Sequence, residues 1–310
     1  MRKLVLLVIM LAMTAASRDA SASPKIPIIL DTDIGGDIDD NFALALIINS
    51  PELELLGVTT VSGNTQARAR LAAKMLWEAG GKWRQVPVAA GEPGSTQPFD
   101  QPQLRWAEGF TSPALRPERA VDFLKAEFDR RPGEITLLTI GALTNAAALL
   151  KSDPPVAKKI KRIVMMGGSV ARGFAPGSAP GPESNIEENV GAAQAVFTSG
   201  VPILMVPLDV TAMLQLDDAG RHRVFTHLSP LTDALTLLYH LWNRPTPTLF
   251  DPMAVAMLIE LSLCETKPLA IEVDAKGYTR VREGQPPNAT VALQTDPARF
   301  FDFYLKRIAP

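Results

Sequence analysis

The chain has 310 residues, 46% of them apolar and 21% charged, with a formal net charge of −2. Such a chain can bury a large core and need not divide into more than one domain. Its near-neutral balance leaves no electrostatic footprint for nucleic acid or for an anionic membrane, so a small neutral ligand is the better match.

Met1-Arg2-Lys3 and the apolar run over residues 4–13 have the form of a basic n-region and an h-region too short to span a bilayer, and Ala20-Ser21-Ala22 supplies a small-x-small cleavage site. Residues 1–22 are therefore expected to be a signal peptide and residues 23–310 one domain, secreted or periplasmic and free of the membrane after cleavage. A retained anchor helix is the alternative. Cys264 is the only cysteine and can make no internal disulfide, so its apolar neighbours mark it as a buried thiol.

Strand and helix patterns alternate from residue 26 onward. The run Ile26-Pro27-Ile28-Ile29-Leu30 reads as a strand and Phe42-Ala43-Leu44-Ala45-Leu46-Ile47-Ile48 as a helix. Between them lies Asp31-Thr32-Asp33-Ile34-Gly35-Gly36-Asp37-Ile38-Asp39-Asp40-Asn41, whose five aspartates converge at the carboxyl end of a buried strand. Open α/β sheets place their sites there. Five carboxylates that close repel one another unless a cation compensates them, which implies calcium or magnesium bound through oxygen. Helix capping explains one or two of them, not all. An EF-hand loop begun at Asp31 fails because Phe42 stands where a bidentate Glu is required and no helix precedes it. A strand followed by Asp-x-Asp also resembles the opening of haloacid-dehalogenase-type phosphatases, with Asp31 as nucleophile, but no clear Lys partner precedes a second acidic motif.

Further strands are expected over residues 55–61, 86–90, 135–140, 160–166 and 201–206, with helices over 64–79, 117–130, 146–151 and 192–198. Asn64 and Asn145 read as helix openers. Residues 91–118 form a long Gly-, Pro- and Gln-rich loop, and a second follows Gly167-Gly168 through Ala175-Pro176-Gly177-Ser178-Ala179-Pro180-Gly181-Pro182. The last third is more helical, over 231–242 and 251–263, before a β-rich piece at 271–281 and a terminal helix at 297–308. This alternation argues a mostly parallel sheet covered by helices.

Several of these loops carry polar residues that a scaffold does not need: Asn64 after Thr59-Thr60-Val61-Ser62-Gly63, Asn145 after Gly141-Ala142-Leu143-Thr144, Glu183 and Asn185 in Pro182-Glu183-Ser184-Asn185, and Asp251 after Phe250. Together with the aspartate stretch and Met166-Gly167-Gly168, this ordered series resembles the calcium-dependent nucleoside hydrolases, the inosine-uridine nucleoside N-ribohydrolase family, from about residue 28 to residue 256. The resemblance implies a Rossmann-like α/β fold flanked by helices, and hydrolysis of the N-glycosidic bond of ribonucleosides to ribose and free base. It also implies roles residue by residue. Asp33 matches the metal-bound general base, Asp40 and Asp251 calcium ligands, and Ile140 the backbone carbonyl completing the metal shell. Asp39, Asn64, Glu183 and Asn185 match contacts to the ribose hydroxyls, with Asn64 and Asn185 in the catalytic group, and Asp251 touches the sugar as well. Met166 is the apolar floor. A small-molecule nucleoside is the expected partner, and a homo-oligomer, dimer or tetramer, the expected assembly.

Three departures stand out. The aspartate loop is two residues longer than the short form of the family, making Asp37 an extra carboxylate and leaving open an exchange of roles with Asp39. Phe250 stands where many members have a histidine that protonates the leaving base. A purine-preferring branch has aromatic residues there, so Trp106 is expected to sandwich a purine with Phe250, with His240 as the substitute acid. The loop before Glu183 has Gly and Pro where an Asn often meets the 5′-hydroxyl. A scaffold that binds nucleoside or ribose with impaired turnover is the alternative function.

Overall fold

The apolar run after Lys25 forms a strand buried from Pro27 onward, and the sheet assembles around it. A computed structural model of the protein describes residues 24–93 and 101–310, so the expected signal peptide lies outside the described residues. In chain order the elements are β1 (Ile26–Thr32), α1 (Asp39–Ile48), β2 (Leu53–Thr60), α2 (Thr65–Ala79), β3 (Val88–Ala90), β4 (Leu115–Arg116), α3 (Ala120–Arg130), β5 (Thr136–Thr139), α4 (Thr144–Ser152) and β6 (Arg162–Met166). Then come α5 (Ser184–Glu187), α6 (Val190–Phe197), β7 (Ile203–Val206), α7 (Leu208–Thr211), α8 (Asp218–Phe225), α9 (Pro230–Trp242) and α10 (Phe250–Ile259). The chain closes with β8 (Cys264–Leu269), β9 (Ile271–Val273), β10 (Thr279–Val281), β11 (Ala289–Thr295) and α11 (Pro297–Ile308).

Nine strands form one sheet in the order β4-β3-β2-β1-β5-β6-β7-β11-β8. Every pairing in it is parallel except β11 with β8, and β9 with β10 form a separate antiparallel pair. The strand order reverses at β1, whose Asp31 pairs with Thr59 of β2 on one side and Thr139 of β5 on the other. A crevice opens at the carboxyl ends of the strands at such a reversal, and ligands bind there.

Alternation along the strands sends side chains to two cores, one on each face. Ile28, Leu30, Leu138, Val164, Met166 and Leu204 join the core that contains α1, α9, α10 and α11 residues. Ile29, Leu137, Ile163, Met165 and Ile203 join the opposite core with Phe123, Leu124 and Phe128 of α3. All ten residues of α1 are buried, as befits a helix apolar on every side, and α10 is buried from Asp251 to Leu258. These two helices pack against each other, and both start at the rim of the crevice.

The expected strands and helices up to residue 242 are present with ends shifted by a few residues. Several features differ. A turn of 3-10 helix at Pro102–Ala107 and the short β4 occupy part of the expected long loop. The helix from Asp251 stops at Ile259, and Cys264, buried as expected, opens β8 instead. The strand β11 and helix α8 were not expected. Among the described residues no helix is long and apolar enough to cross a membrane.

Phe128 is fully buried in the core remote from the aspartates. Phe128→Ala should lower the unfolding free energy in urea by about 3–5 kcal/mol, the cost of an aromatic cavity. A loss below about 1 kcal/mol would mean that this face is loosely packed.

Candidate active site

The acidic loop leaves β1 at Thr32, whose hydroxyl donates to Asp40 Oδ1 at 2.5 Å and accepts from the Ile34 N–H at 3.1 Å. The strand end and the first turn of α1 are thereby locked together. Arg68 of α2 is buried beneath the loop and donates to the Ile34 carbonyl at 2.9 Å and the Ser62 carbonyl at 2.8 Å. Its charge favours ionisation of Asp33 and Asp40. From α10, the Asp251 N–H donates to Asp39 Oδ2 at 3.2 Å, so two helix N-termini face the same carboxylates.

Carboxylate oxygens of Asp39, Asp40 and Asp251 lie within 4.8 Å of one another, all buried. Asp33 lines the same cleft without belonging to that tightest group, and Asp39, matched by the resemblance to a ribose contact, lies within it. No histidine or cysteine joins the three, and all-oxygen donors suit a hard divalent cation. The cleft, about 240 Å³, is also lined by Asp37, Ile140, Met166, Glu183, Asn185 and Phe250. Asn185 Nδ2 donates to the carbonyls of Ile140 at 3.3 Å and Met166 at 3.2 Å, which fixes its amide across two strand ends. The Ile140 oxygen retains a second lone pair. Glu183 caps α5 and accepts from the N–H groups of Gly168 at 2.8 Å and Asn185 at 3.0 Å.

Three sequence-chosen residues are not among those lining the cleft. Asn64 is exposed and caps α2, its Oδ1 accepting from the Ala67 N–H at 3.0 Å. Trp106 packs beside α2 with the Lys74 ammonium 4.4 Å above its ring, so the expected Trp106–Phe250 sandwich is not formed. His240 is exposed on α9, against Phe225 and Tyr239. The ring that meets Phe250 is Phe174, with centroids 5.8 Å apart and planes at 27°. An aromatic side chain in a Gly- and Pro-rich loop was the available signal for it. Asn145 is no helix cap. It lies inside α4 and donates to Asp31 Oδ1 at 2.8 Å and the Thr60 carbonyl at 3.0 Å.

Burial dominates the titration of these groups. It raises Asp33 to about 6 against the lowering pull of Arg68, and raises Asp31 to about 7 against hydrogen bonds from Thr59 and Asn145. Glu183 rises to about 7 although backbone N–H groups oppose the shift. Asp39, Asp40 and Asp251 are pushed well above the ordinary carboxylate range, by burial first and then by one another or their acidic neighbours. Such a site gains most from an added positive charge.

A parallel sheet with an acidic, cation-ready cleft at its strand reversal defines an α/β protein built to bind a small polar ligand. Its sequence matches the profile described as inosine-uridine preferring nucleoside hydrolase over residues 28–302. It is 32% identical to the pyrimidine-specific ribonucleoside hydrolase RihA of Salmonella arizonae, over 91% of this chain and 98% of that one. Among solved structures, a plant nucleoside hydrolase, PpNRh1, superposes with a TM-score of 0.79 at 27% identity, covering 92% of this chain and 99% of that one. The purine-preferring ribonucleoside hydrolase from Gardnerella vaginalis gives 0.73 at 28%, covering 91% and 98%. The chain belongs to the nucleoside hydrolase family, and is an enzyme of the N-glycosidase class acting on ribonucleosides.

Carboxylates whose folded pKa is raised stabilise the fold below their unfolded value near 4 and lose that contribution as pH rises through the folded value. For Asp31, Asp33 and Glu183 the window runs from about pH 4 to about 7. Thermal unfolding in chelator should therefore show the Tm falling from pH 5 to pH 8, and the increment from added divalent cation growing over the same interval. A cation increment that shrinks as pH rises would contradict this electrostatic account.

Proposed function

We propose that the protein hydrolyses the N-glycosidic bond of ribonucleosides with a water activated at calcium, favours purine nucleosides, and acts after export. The observation that carries the reading is the convergence of buried Asp39, Asp40 and Asp251 beside Asp33. Asp33, Asp40, Asp251 and the Ile140 carbonyl would hold the ion, and the proximity of Asp39 to the cluster lets it serve ion or sugar. An ion held by these residues would supply Lewis acidity, making a water a better nucleophile near neutral pH.

Asp33, which lines the cleft beside the three clustered aspartates, is the residue that would accept a proton from the attacking water. As the glycosidic bond breaks, the ring acquires oxocarbenium character, and the surrounding carboxylates stabilise the developing positive charge. Glu183 and Asn185, each fixed by backbone partners, bind sugar hydroxyls and set the angle of attack. Met166 supports the sugar from below. At the base end the cleft offers Phe250 and Phe174 and no histidine, so the leaving base is expected to take its proton from solvent. This aromatic surface supports purine preference in place of the Trp106 sandwich, while the relative from Salmonella arizonae is named for pyrimidines. The export reading rests on residues 1–22.

Ribose release from inosine, guanosine, uridine and cytidine, with calcium present, tests the reading, and no release from any of them would sink it. Stacking contributes roughly 1–3 kcal/mol per base, so Phe250→Ala and Phe174→Ala should each lower kcat/KM for inosine about tenfold more than for uridine. Equal losses would leave the aromatic pair without a role in selecting the base. Asp33→Asn should lower kcat by several orders of magnitude with the Tm little changed, and zinc should not replace calcium after chelation.

A further inference from the structure

The stretch between β1 and α1 has almost no backbone pairing of its own. The Ile34, Gly36 and Asp37 carbonyls are bonded by side chains from distant segments. Arg68 takes the first. Gln103, in the turn Pro102–Ala107, takes the other two, its Nε2 donating to Gly36 O at 3.1 Å and Asp37 O at 2.9 Å. Its Oε1 accepts from Asn41 Nδ2 at 2.5 Å. Gln103 is fully buried, and both its N–H groups and its carbonyl oxygen are used.

The partners of this one amide bracket the cluster in sequence. Gly36 and Asp37 precede Asp39, and Asn41 follows Asp40 in the first turn of α1. Neighbouring Leu104 reaches the loop because Gly35 has no side chain. A Cβ there would lie 2.5 Å from Leu104 Cδ2, and the backbone of Gly35 has φ +102. The turn at Pro102–Ala107 thus fits the loop by shape as well as by hydrogen bonding.

We propose that Gln103 is a positioning residue for the cation cluster, its amide holding the Gly36–Asp37 carbonyls against Asn41 so that Asp39 and Asp40 stay in binding geometry. The proposal rests on the reading of the cleft as a divalent-cation site. It concerns how that site is kept in shape, since Gln103 itself does not line the cleft. A side chain of this kind acts by pre-organisation: without it the loop must be ordered by the ion, and affinity falls.

Calorimetric titration with calcium alone, on metal-free protein, tests this. Gln103→Met keeps the length but removes the donors and acceptor, and should raise the calcium Kd about tenfold or more, equivalent to about 1.4 kcal/mol. Gln103→Asn, too short to reach both carbonyls, should weaken binding about three- to tenfold and stands in if the first variant does not fold. Leu124→Ala, in the core on the opposite face of the sheet, is the matched control, and should lower the Tm while leaving the Kd within twofold. Kd values within twofold of wild type for the Gln103 variants would overturn the proposal. So would a control that loses calcium affinity as much as Gln103→Met does at equal loss of Tm. Wild-type protein that takes up no calcium overturns it as well, and that outcome alone also removes the calcium reading of the cleft.

Discussion

Carboxylates packed together out of water cannot all remain ionised without a compensating charge, and this protein places several of them at one point. The surrounding structure is arranged to tolerate that concentration. Two helix N-termini, those of α1 and α10, direct their dipoles at it. Thr32 donates to Asp40, the Asp251 N–H donates to Asp39, and the Arg68 guanidinium lies beneath the loop. These partners lower the cost of burial but do not remove it, since the carboxylate pKa values remain raised. A divalent cation would supply the remaining charge, so the site carries an electrostatic demand that binding of an ion would satisfy.

The sheet makes this arrangement possible. Because β1 lies at the strand reversal, its carboxyl end meets β2 and β5 at once, and the loops after β5 and β6 reach the same point. Asn185 ties those two loops together through the Ile140 and Met166 carbonyls. On the other side of β1, Asn145 of α4 bonds both Asp31 and Thr60, closing the gap between β1 and β2. Polar side chains at the cleft are thus partly occupied in setting backbone positions. Farther along the cleft Phe174, 66% exposed, stacks on Phe250.

Much of this was legible in the chain itself. Five aspartates after an apolar run located the cleft, and β-branched runs at regular intervals located the parallel strands, because both signals are local. Glu183, Asn185, Ile140, Met166 and Asp251 were chosen through the family resemblance that the ordered loops carry, and they line the cleft together. What failed was non-local. The strand β11 takes its place from pairing with β7 and β8, not from its own pattern, and Cys264 begins a strand in a run that reads as helix. Asn64 and Asn145 looked alike as helix openers, yet one caps a helix and the other bonds Asp31, a difference set by where the neighbouring strand lies. Trp106 was chosen for its chemistry and loop position, but Lys74 and the core claim its ring. Phe174 and Gln103 act through partners far along the chain, which no window of sequence contains.

The central claim is that the buried aspartates form one cation site that orients a ribonucleoside sugar. A crystal structure of the protein soaked with calcium and ribose measures it most directly. The account predicts calcium held among Asp33, Asp40 and Asp251, with the sugar against Asn185 and Glu183 and its anomeric carbon toward Phe250. Calcium absent from the aspartates, or ribose bound outside this cleft, would contradict it.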